Sequence, residues 1–236
     1  HSPPYGPDAL LLNWEQRITP GISTSVHAYA AALLAHPAVL ECVPAYASLM
    51  VRFAPPKISA YQLREFIFEL RPSAARPQTS VIHDLPVLYD GPDLEFIFRK
   101  LSLSKKDLIS LHSAPDYLVY QVGFQPGFAF LGDTSEALAI ERRESPRAKV
   151  PAGSVGLAGR QTGVYPTDGP GGWQLIGRCP WPLIRPGPSP TRLQAGDRVS
   201  FRPVSPVEFA NPVKSPAPWP VRYPYDASYP AVALLS

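Results

Sequence analysis

Proline is the residue that most limits what this chain can become: 31 of its 236 residues are proline. Proline fixes φ, lacks an amide donor and breaks helix interiors and central strands. Long helices are therefore excluded wherever prolines crowd, and positions 161–236 hold 15 of the 31. Disorder is not the answer, because 45% of residues are hydrophobic and the net charge is only +3; disordered chains combine low hydrophobicity with high charge. Collagen is excluded because the 16 glycines keep no period of three. The expectation is a helix-containing N-terminal part and a loop- and strand-rich C-terminal part.

The remaining totals exclude several function classes. The pI near 8.9 is modest, and no run of five or six basic residues occurs, so no nucleic-acid surface is expected. His1, His27, His36, His83 and His112 form no HxH or HExxH pair, so no metal site is expected. No run of 18 apolar residues appears, so no membrane span is expected. Cys42 and Cys179 lack metal-type spacing and read as reduced thiols of a cytoplasmic protein. The start, His1-Ser2-Pro3-Pro4, shows neither an initiator methionine nor a signal-peptide pattern, and no function is read from His1.

Along the chain, residues 9–14 read as a strand. Residues 21–35 read as a helix, because Ile22, Val26, Tyr29 and Leu33 fall on one face. Residues 39–46 and 48–53 read as strands, and Ser59 with Gln62 marks a capping box opening a second helix that Arg71-Pro72 stops. This β-α-β-β-α order, with a further strand at 80–89, is the ferredoxin-like pattern. Residues 71–79 read as a linker, giving a first domain at 1–79. The strand at 80–89 is assigned to a second domain ending at 206. Two short helices are expected within 92–113, the second capped by Ser104 with Asp107. A strand follows at 117–124. Nine of the 16 glycines lie between Gly153 and Gly187, and short β runs at 155–157, 174–176 and 198–202 alternate with turns. That is the signature of an antiparallel barrel or sandwich. Residues 207–236 read as a proline-rich tail.

The informative stretch is 121–180. Gly123, Gly127 and Gly132 interleave with Phe124, Phe128 and Phe130 around a Pro126-Gly127 turn. Such a loop can floor a pocket for a flat ligand, or form a tight barrel corner with its aromatics in the core. Arg142, Arg143, Arg147 and Lys149 can grip a carboxylate or phosphate, or form a solvated loop with Glu141 and Glu144. The run from Gly153 to Gly159 fits neither GxxxxGK[ST] nor GxGxxG. Gln161 and Thr162 suit an amide, Tyr165 can stabilise an oxyanion, and each can equally be a buried, satisfied group. His112 alone is as well read as structural, with no Ser–His–Asp or Cys–His set beside it. From the residues alone, a pocket candidate emerges without a reaction.

The segments GFQPGFAFLGD and PRAKVPAGSVGLAGRQTGVYPTDGPGGWQLIGRCP resemble the KipI family, also called allophanate hydrolase subunit 1 or the B subunit of the bacterial 5-oxoprolinase. The likeness extends to LHSAPDYLVYQVGF and, more weakly, to VPAYASLMVRF, covering roughly residues 9–206. It implies an α+β protein with an N-terminal ferredoxin-like α/β domain and a C-terminal cyclophilin-like antiparallel β-barrel. It also implies a hydrolase subunit that opens 5-oxo-L-proline to L-glutamate with ATP. The implied partners are the KipA-type C subunit and the LamB/YcsF-type A subunit. Two alternatives accompany it: a KipI-like inhibitor of a sensor histidine kinase, and the carboxyltransferase half of a biotin-dependent urea carboxylase. On the matching positions, Tyr165, His112 and Arg147 are implied as catalytic. Phe124, Pro126, Phe128, Ser154, Gln161, Thr162, Trp173 and Arg178 are implied as substrate-binding. The chain departs from the family at the short turn Tyr89-Asp90-Gly91-Pro92, at Lys149 and in the tail.

Overall fold

The computed structural model describes residues 5–72, 81–185 and 191–211. The chain divides into two compact units, His1–Gln78 and Thr79–Ser236. Most of the expected linker and tail lies outside the described residues.

The first unit is a three-stranded sheet with two helices. Strand β1 (Ala9–Asn13) pairs antiparallel with β3 (Ser48–Phe53), which pairs antiparallel with β2 (Val39–Pro44). Helix α1 (Pro20–Leu34) opens on Thr19, whose hydroxyl accepts from the Ile22 amide at 3.3 Å, with Pro20 at the first helical position. Its Val26, Ala30 and Leu33 are buried against Leu10, Leu49 and Val51, with Ile22 and Tyr29 packed alongside. Helix α2 (Ala60–Glu69) carries the Ser59/Gln62 capping box in both directions and buries Leu63 and Ile67. The strand order β1-β3-β2 is a split β-α-β arrangement. A ferredoxin-like sheet needs a fourth strand beside β1, and none is found there among the described residues.

In the second unit, β4 (Ile82–Val87), β5 (Tyr117–Val122), β6 (Ala129–Gly132), β8 (Ser154–Ala158), β9 (Gln161–Val164), β11 (Gln174–Arg178) and β12 (Arg198–Pro203) form one sheet, ordered β11-β8-β9-β6-β5-β12-β4. A small ribbon of β7 (Arg147–Val150) and β10 (Gly169–Gly171) accompanies it. The pairings are antiparallel except β4–β12, which is parallel over six residue pairs. That exception corrects a wholly antiparallel barrel. A parallel neighbour needs a long crossover, and here the whole intervening chain supplies it. Helices α3 (Leu94–Leu101) and α4 (Lys105–Ser113) bury Leu94, Ile97 and Leu108 in the core shared by Leu85, Val119, Leu131, Val155, Leu157 and Val199. Ser104 and Asp107 form the expected capping box. The short helix α5 (Pro206–Ala210), boxed by Ser205 and Glu208, replaces irregular tail at its beginning.

The sheet closes almost completely on itself. Just beyond β4, Leu88 exchanges two backbone hydrogen bonds of 2.9 Å with Arg178 of β11. The Gly91 amide donates to the Ile176 carbonyl at 3.1 Å, and the Asp93 amide to the Leu175 carbonyl at 3.2 Å. The register of β11 against β8 shifts between Leu175 and Gly177, which bends the strand toward this seam. The arrangement is a nearly closed barrel-like sheet, consistent with the cyclophilin-like expectation.

Backbone approach at the seam requires glycine. A Cβ on Gly91 would lie 2.2 Å from the Leu175 carbonyl oxygen, whereas one on Gly123 meets nothing within 4 Å. Gly91→Ala is expected to destabilise the protein by at least about 2 kcal/mol through overpacking. Gly123→Ala is expected to stay within about 1 kcal/mol of neutral. Urea unfolding of the two variants checks the contrast, and equal midpoints would refute the tight seam.

Candidate functional site

The strands β6, β8, β9 and β11 carry two different faces. Ala129, Leu131, Val155, Leu157, Val164 and Ile176 point into the main core. Alternate residues Phe128, Ala158, Tyr165 and Leu175, together with Val150 and Trp173, form a separate cluster with Phe130 packed against it. Phe128 is the hub, in edge-on contact with Phe124 (5.7 Å), Phe130 (4.9 Å), Tyr165 (5.1 Å) and Trp173 (5.3 Å) between ring centroids. Two glycines make room for these rings. A Cβ on Gly163 would sit 3.2 Å from Phe128 and 3.3 Å from Trp173, and one on Gly156 3.0 Å from Trp173. The glycines that interleave with the phenylalanines in the sequence do not play this part: a Cβ on Gly123 would meet nothing within 4 Å, and one on Gly127 would meet Ile184 and Thr191.

Phe124 stands apart from the other rings. It is 65% exposed and adopts φ of 70°, inside the turn that Gly127 completes at φ 77°. Pro126 beside it is exposed. Phe128, by contrast, is buried, so one loop supplies both a core corner and a projecting ring.

Arg147 of β7 reaches the edge of this layer. Its Nη1 lies 3.5 Å from the Trp173 carbonyl oxygen, and its Nη2 donates to the Asp93 carboxylate at 2.6 Å. Gly171, paired with Arg147, lies so close to Tyr165 that a Cβ there would meet the phenol oxygen at 2.4 Å. Burial raises the Tyr165 phenol above its ordinary pKa, opposed by a hydrogen bond with the Trp173 backbone and by the charges of Arg142 and Arg147. The structure therefore brings Phe124, Phe128, Tyr165, Trp173 and Arg147 together. Gln161 lies half-buried at the start of β9; by strand alternation it shares the face of Gly163 and Tyr165.

His112 and Thr162 lie on the other side of β9, in the main core. The Thr162 hydroxyl donates to the Gly156 carbonyl at 3.1 Å, so it accepts from His112 Nε2 at 2.8 Å. His112 Nδ1 then accepts from the Tyr89 hydroxyl at 2.7 Å. The ring stacks on Phe201 at 4.6 Å and is fully buried. Both nitrogens are occupied by protein partners. Desolvation lowers the His112 pKa from 6.5 to about 3.

Arg178 and Ser154 sit at the seam. The Arg178 guanidinium forms a two-point ion pair with Asp90 and lies over the Phe209 ring at 4.7 Å. Ser154 is buried and pairs with Arg178 across β8 and β11. Sequence reasoning passed over Asp90 and Asp93, although an aspartate before a helical run is a recognisable N-terminal signal. In the first unit a cleft of about 690 Å³ opens between β1 and α2, lined by Trp14, Tyr29, Arg64 and Phe68 among others. None of the site residues expected from the sequence lines it.

The run from Gly153 to Gly159 does not fit a nucleotide phosphate. Residues 154–158 are β8, whose ladder pairs with β9 on one side and β11 on the other. Its amides are therefore not arranged as an anion nest. Among the described residues no group of three or more His, Cys, Asp or Glu side chains is placed to hold a metal ion. No helix among them is long and apolar enough to cross a membrane. Cys42 and Cys179 are both unbridged thiols, and burial raises each to a pKa of about 11.

The chain matches the model of the carboxyltransferase domain, subdomain C and D, over residues 2–193, and it belongs to that family. It is 38% identical over 226 residues to the 5-oxoprolinase B subunit of Bacillus subtilis (strain 168), a match covering 85% of this chain and 91% of that protein. The crystal structure of TTHA0988 superposes with a TM-score of 0.75 at 35% identity, covering 84% of this chain and 40% of that one. The chain thus spans less than half of that larger protein. Urea carboxylase of Kluyveromyces lactis shares the fold alone, with a TM-score of 0.72 at 17% identity over 89% of this chain and 22% of that one.

The His112 chain generates a pH prediction. In the folded state His112 stays neutral down to about pH 3, whereas the unfolded chain takes up the proton near pH 6.5. The unfolded state therefore binds more protons between those values. Stability falls as pH falls through that window, by up to about 1.4 kcal/mol per pH unit. His112→Gln is expected to be less stable at pH 7 but to lose this slope. Urea unfolding at pH 7 and 5 measures it, and parallel slopes in both proteins would exclude a neutral His112.

Proposed function

We propose that this chain is the B subunit of an ATP-dependent 5-oxoprolinase, hydrolysing 5-oxo-L-proline to L-glutamate together with other subunits. The observation that carries the reading is the 38% identity to a 5-oxoprolinase B subunit across 91% of that protein's length. The geometry supports it with an exposed Phe124 standing on a buried aromatic cluster and Arg147 at that cluster's rim. A five-membered lactam is small and flat, and its carboxylate suits a guanidinium.

In this reading the exposed Phe124 and Pro126 meet the ligand, and the buried Phe128 and Trp173 back them from behind. Gln161 faces the lactam amide, Arg147 takes the carboxylate, and Tyr165 stabilises charge on the amide oxygen. His112 and Thr162 act from within the core, by fixing β9 beneath Tyr165. Ser154 and Arg178 hold the seam. ATP belongs to the assembled enzyme, with its phosphates held by the partners, the KipA-type C subunit and the LamB/YcsF-type A subunit. The two unbridged thiols favour a reducing, cytoplasmic setting. We read the first unit as a ferredoxin-like domain on its β1-β3-β2 order.

The test combines the three subunits with ATP and 5-oxoproline and measures released glutamate. The trio is expected to release glutamate, and this chain alone none. Arg147→Lys, which keeps charge and loses the planar fork, and Tyr165→Phe are each expected to lower kcat/KM at least about tenfold. A trio that releases no glutamate ends the reading; normal rates in both variants remove these residues from the site.

A further inference from the structure

Asp93 occupies the N-cap position of α3, yet its side chain makes no capping hydrogen bond to that helix. An aspartate at this position ordinarily stabilises the helix by accepting from its own first turn. Here the carboxylate turns elsewhere. One oxygen accepts from Arg147 Nη2 at 2.6 Å and from Arg143 Nη1 at 3.3 Å; the other accepts from the Leu175 amide at 2.6 Å. The Asp93 backbone amide also bonds to the Leu175 carbonyl, so main chain and side chain are both fixed to β11.

The charge balance at this point is unusual. Lys149–Asp168, Arg178–Asp90, Arg202–Asp84 and Arg160–Asp133 each set one cation against one carboxylate. Asp93, with a side chain only 6% exposed, faces two arginines. One positive charge is left over, and two guanidiniums held on one oxygen repel each other. A second anion would relieve that repulsion. Both arginines reach the surface, with side-chain exposures of 37% for Arg143 and 22% for Arg147. Their backbones are tied to the same place: the Arg143 amide donates to the Gly172 carbonyl, and Arg147 pairs with Gly171. Gly171 abuts Tyr165, and Trp173 follows directly. The paired guanidiniums therefore border the aromatic layer.

We propose that Asp93 is a positioning residue that holds Arg143 and Arg147 together as a receptor for one carboxylate of a small ligand. Resting on the 5-oxoprolinase reading, it names the arm of the site that takes the substrate's carboxylate and adds Arg143 to it. Asp93 itself touches no ligand. A bidentate fork from one arginine, completed by the second, fits a planar carboxylate better than a lysine pair would.

The test has two arms. In the reconstituted trio, Asp93→Asn keeps an acceptor for the Leu175 amide but releases the arginines. It is expected to raise KM for 5-oxoproline about tenfold or more while kcat falls less than about threefold, the mark of lost ground-state binding. Arg143→Gln, farther from the seam, is expected to do the same. A purely structural role would instead lower kcat with the amount of folded enzyme and leave KM in place. The second arm needs no turnover. In the isolated chain, the arginine Nε–Hε NMR signals of Arg143 and Arg147 are expected to shift with sodium 5-oxoprolinate and not with 2-pyrrolidone, the same lactam without the carboxylate. Asp93→Asn is expected to abolish the shift. Signals unmoved by 5-oxoprolinate, equally moved by 2-pyrrolidone or by inorganic phosphate, or an Arg143→Gln variant with wild-type KM, would each overturn the proposal. A trio without turnover whose signals still respond to the carboxylate would sink the enzyme reading and keep the receptor.

Discussion

The barrel closes through six consecutive residues, 88–93, and the rest of the second unit depends on that seam. Leu88 joins the backbone of Arg178, and Gly91 and Asp93 bond to successive carbonyls of β11. The side chains between them reach outward in different directions. Tyr89 donates to His112 in the core, Asp90 pairs with Arg178 at the surface, and Asp93 holds the two arginines beside the aromatic layer. A short turn thereby fixes the closure, a buried histidine and a cationic edge together. Glycine on both sides of the seam is the condition for this. Gly91 and Gly177 face carbonyl oxygens that a Cβ would meet at 2.2 and 2.5 Å, distances that backbone cannot yield. The turn can close the barrel because its residues bond both to β11 and to the core.

The two faces of the sheet carry different chemistry. On the inner face, His112, Tyr89, Thr162 and the Gly156 carbonyl form a chain in which every donor has an acceptor. Buried polar groups are tolerable only when so satisfied, and a satisfied chain specifies one register. Here the register is that of β9, which also carries Gly163 and leads into Tyr165. On the outer face the same strand meets rings, and glycine replaces side chains where Phe128 and Trp173 lie against backbone. One strand thus couples a hydrogen-bonded core to a second, aromatic cluster without any residue serving both.

Much of the fold could be read where the signals were local. The Ser59/Gln62 and Ser104/Asp107 boxes set helix starts, and the spacing of Val26 and Leu33 identified the buried face of α1. What local patterns could not reveal depends on distant partners. β10 is Gly-Pro-Gly, which propensity excludes from strands, and it forms only because β7 lies beside it. The parallel β4–β12 pair joins residues more than a hundred positions apart in the chain, and no periodicity encodes such a match. Asp93 draws no attention in the sequence until Arg147, 54 residues later, and Leu175, 82 later, are seen to claim it. His112 reads as a lone histidine until Thr162, 50 residues on, meets its ring. The phenylalanines of the 124–130 loop fitted both a pocket floor and a core corner. Phe128 is the core corner, and Phe124 projects from the turn with its ring 65% exposed.

Phe124 shows why such a face points outward. A non-glycine residue at φ 70° carries left-handed strain of order 1 kcal/mol. Its ring is left 65% exposed, so burial does not offset that strain. Phe128, four residues later, is buried among four other rings and stabilises the loop that bears the strain. The loop is thus anchored at one aromatic and presents the other, while at the Trp173 edge of the same cluster two arginines share one carboxylate. An apolar ring and an unbalanced cation gain most from a ligand or surface that is itself part apolar and part anionic. This face therefore exposes an apolar ring and an excess of positive charge, as the closed core behind it does not.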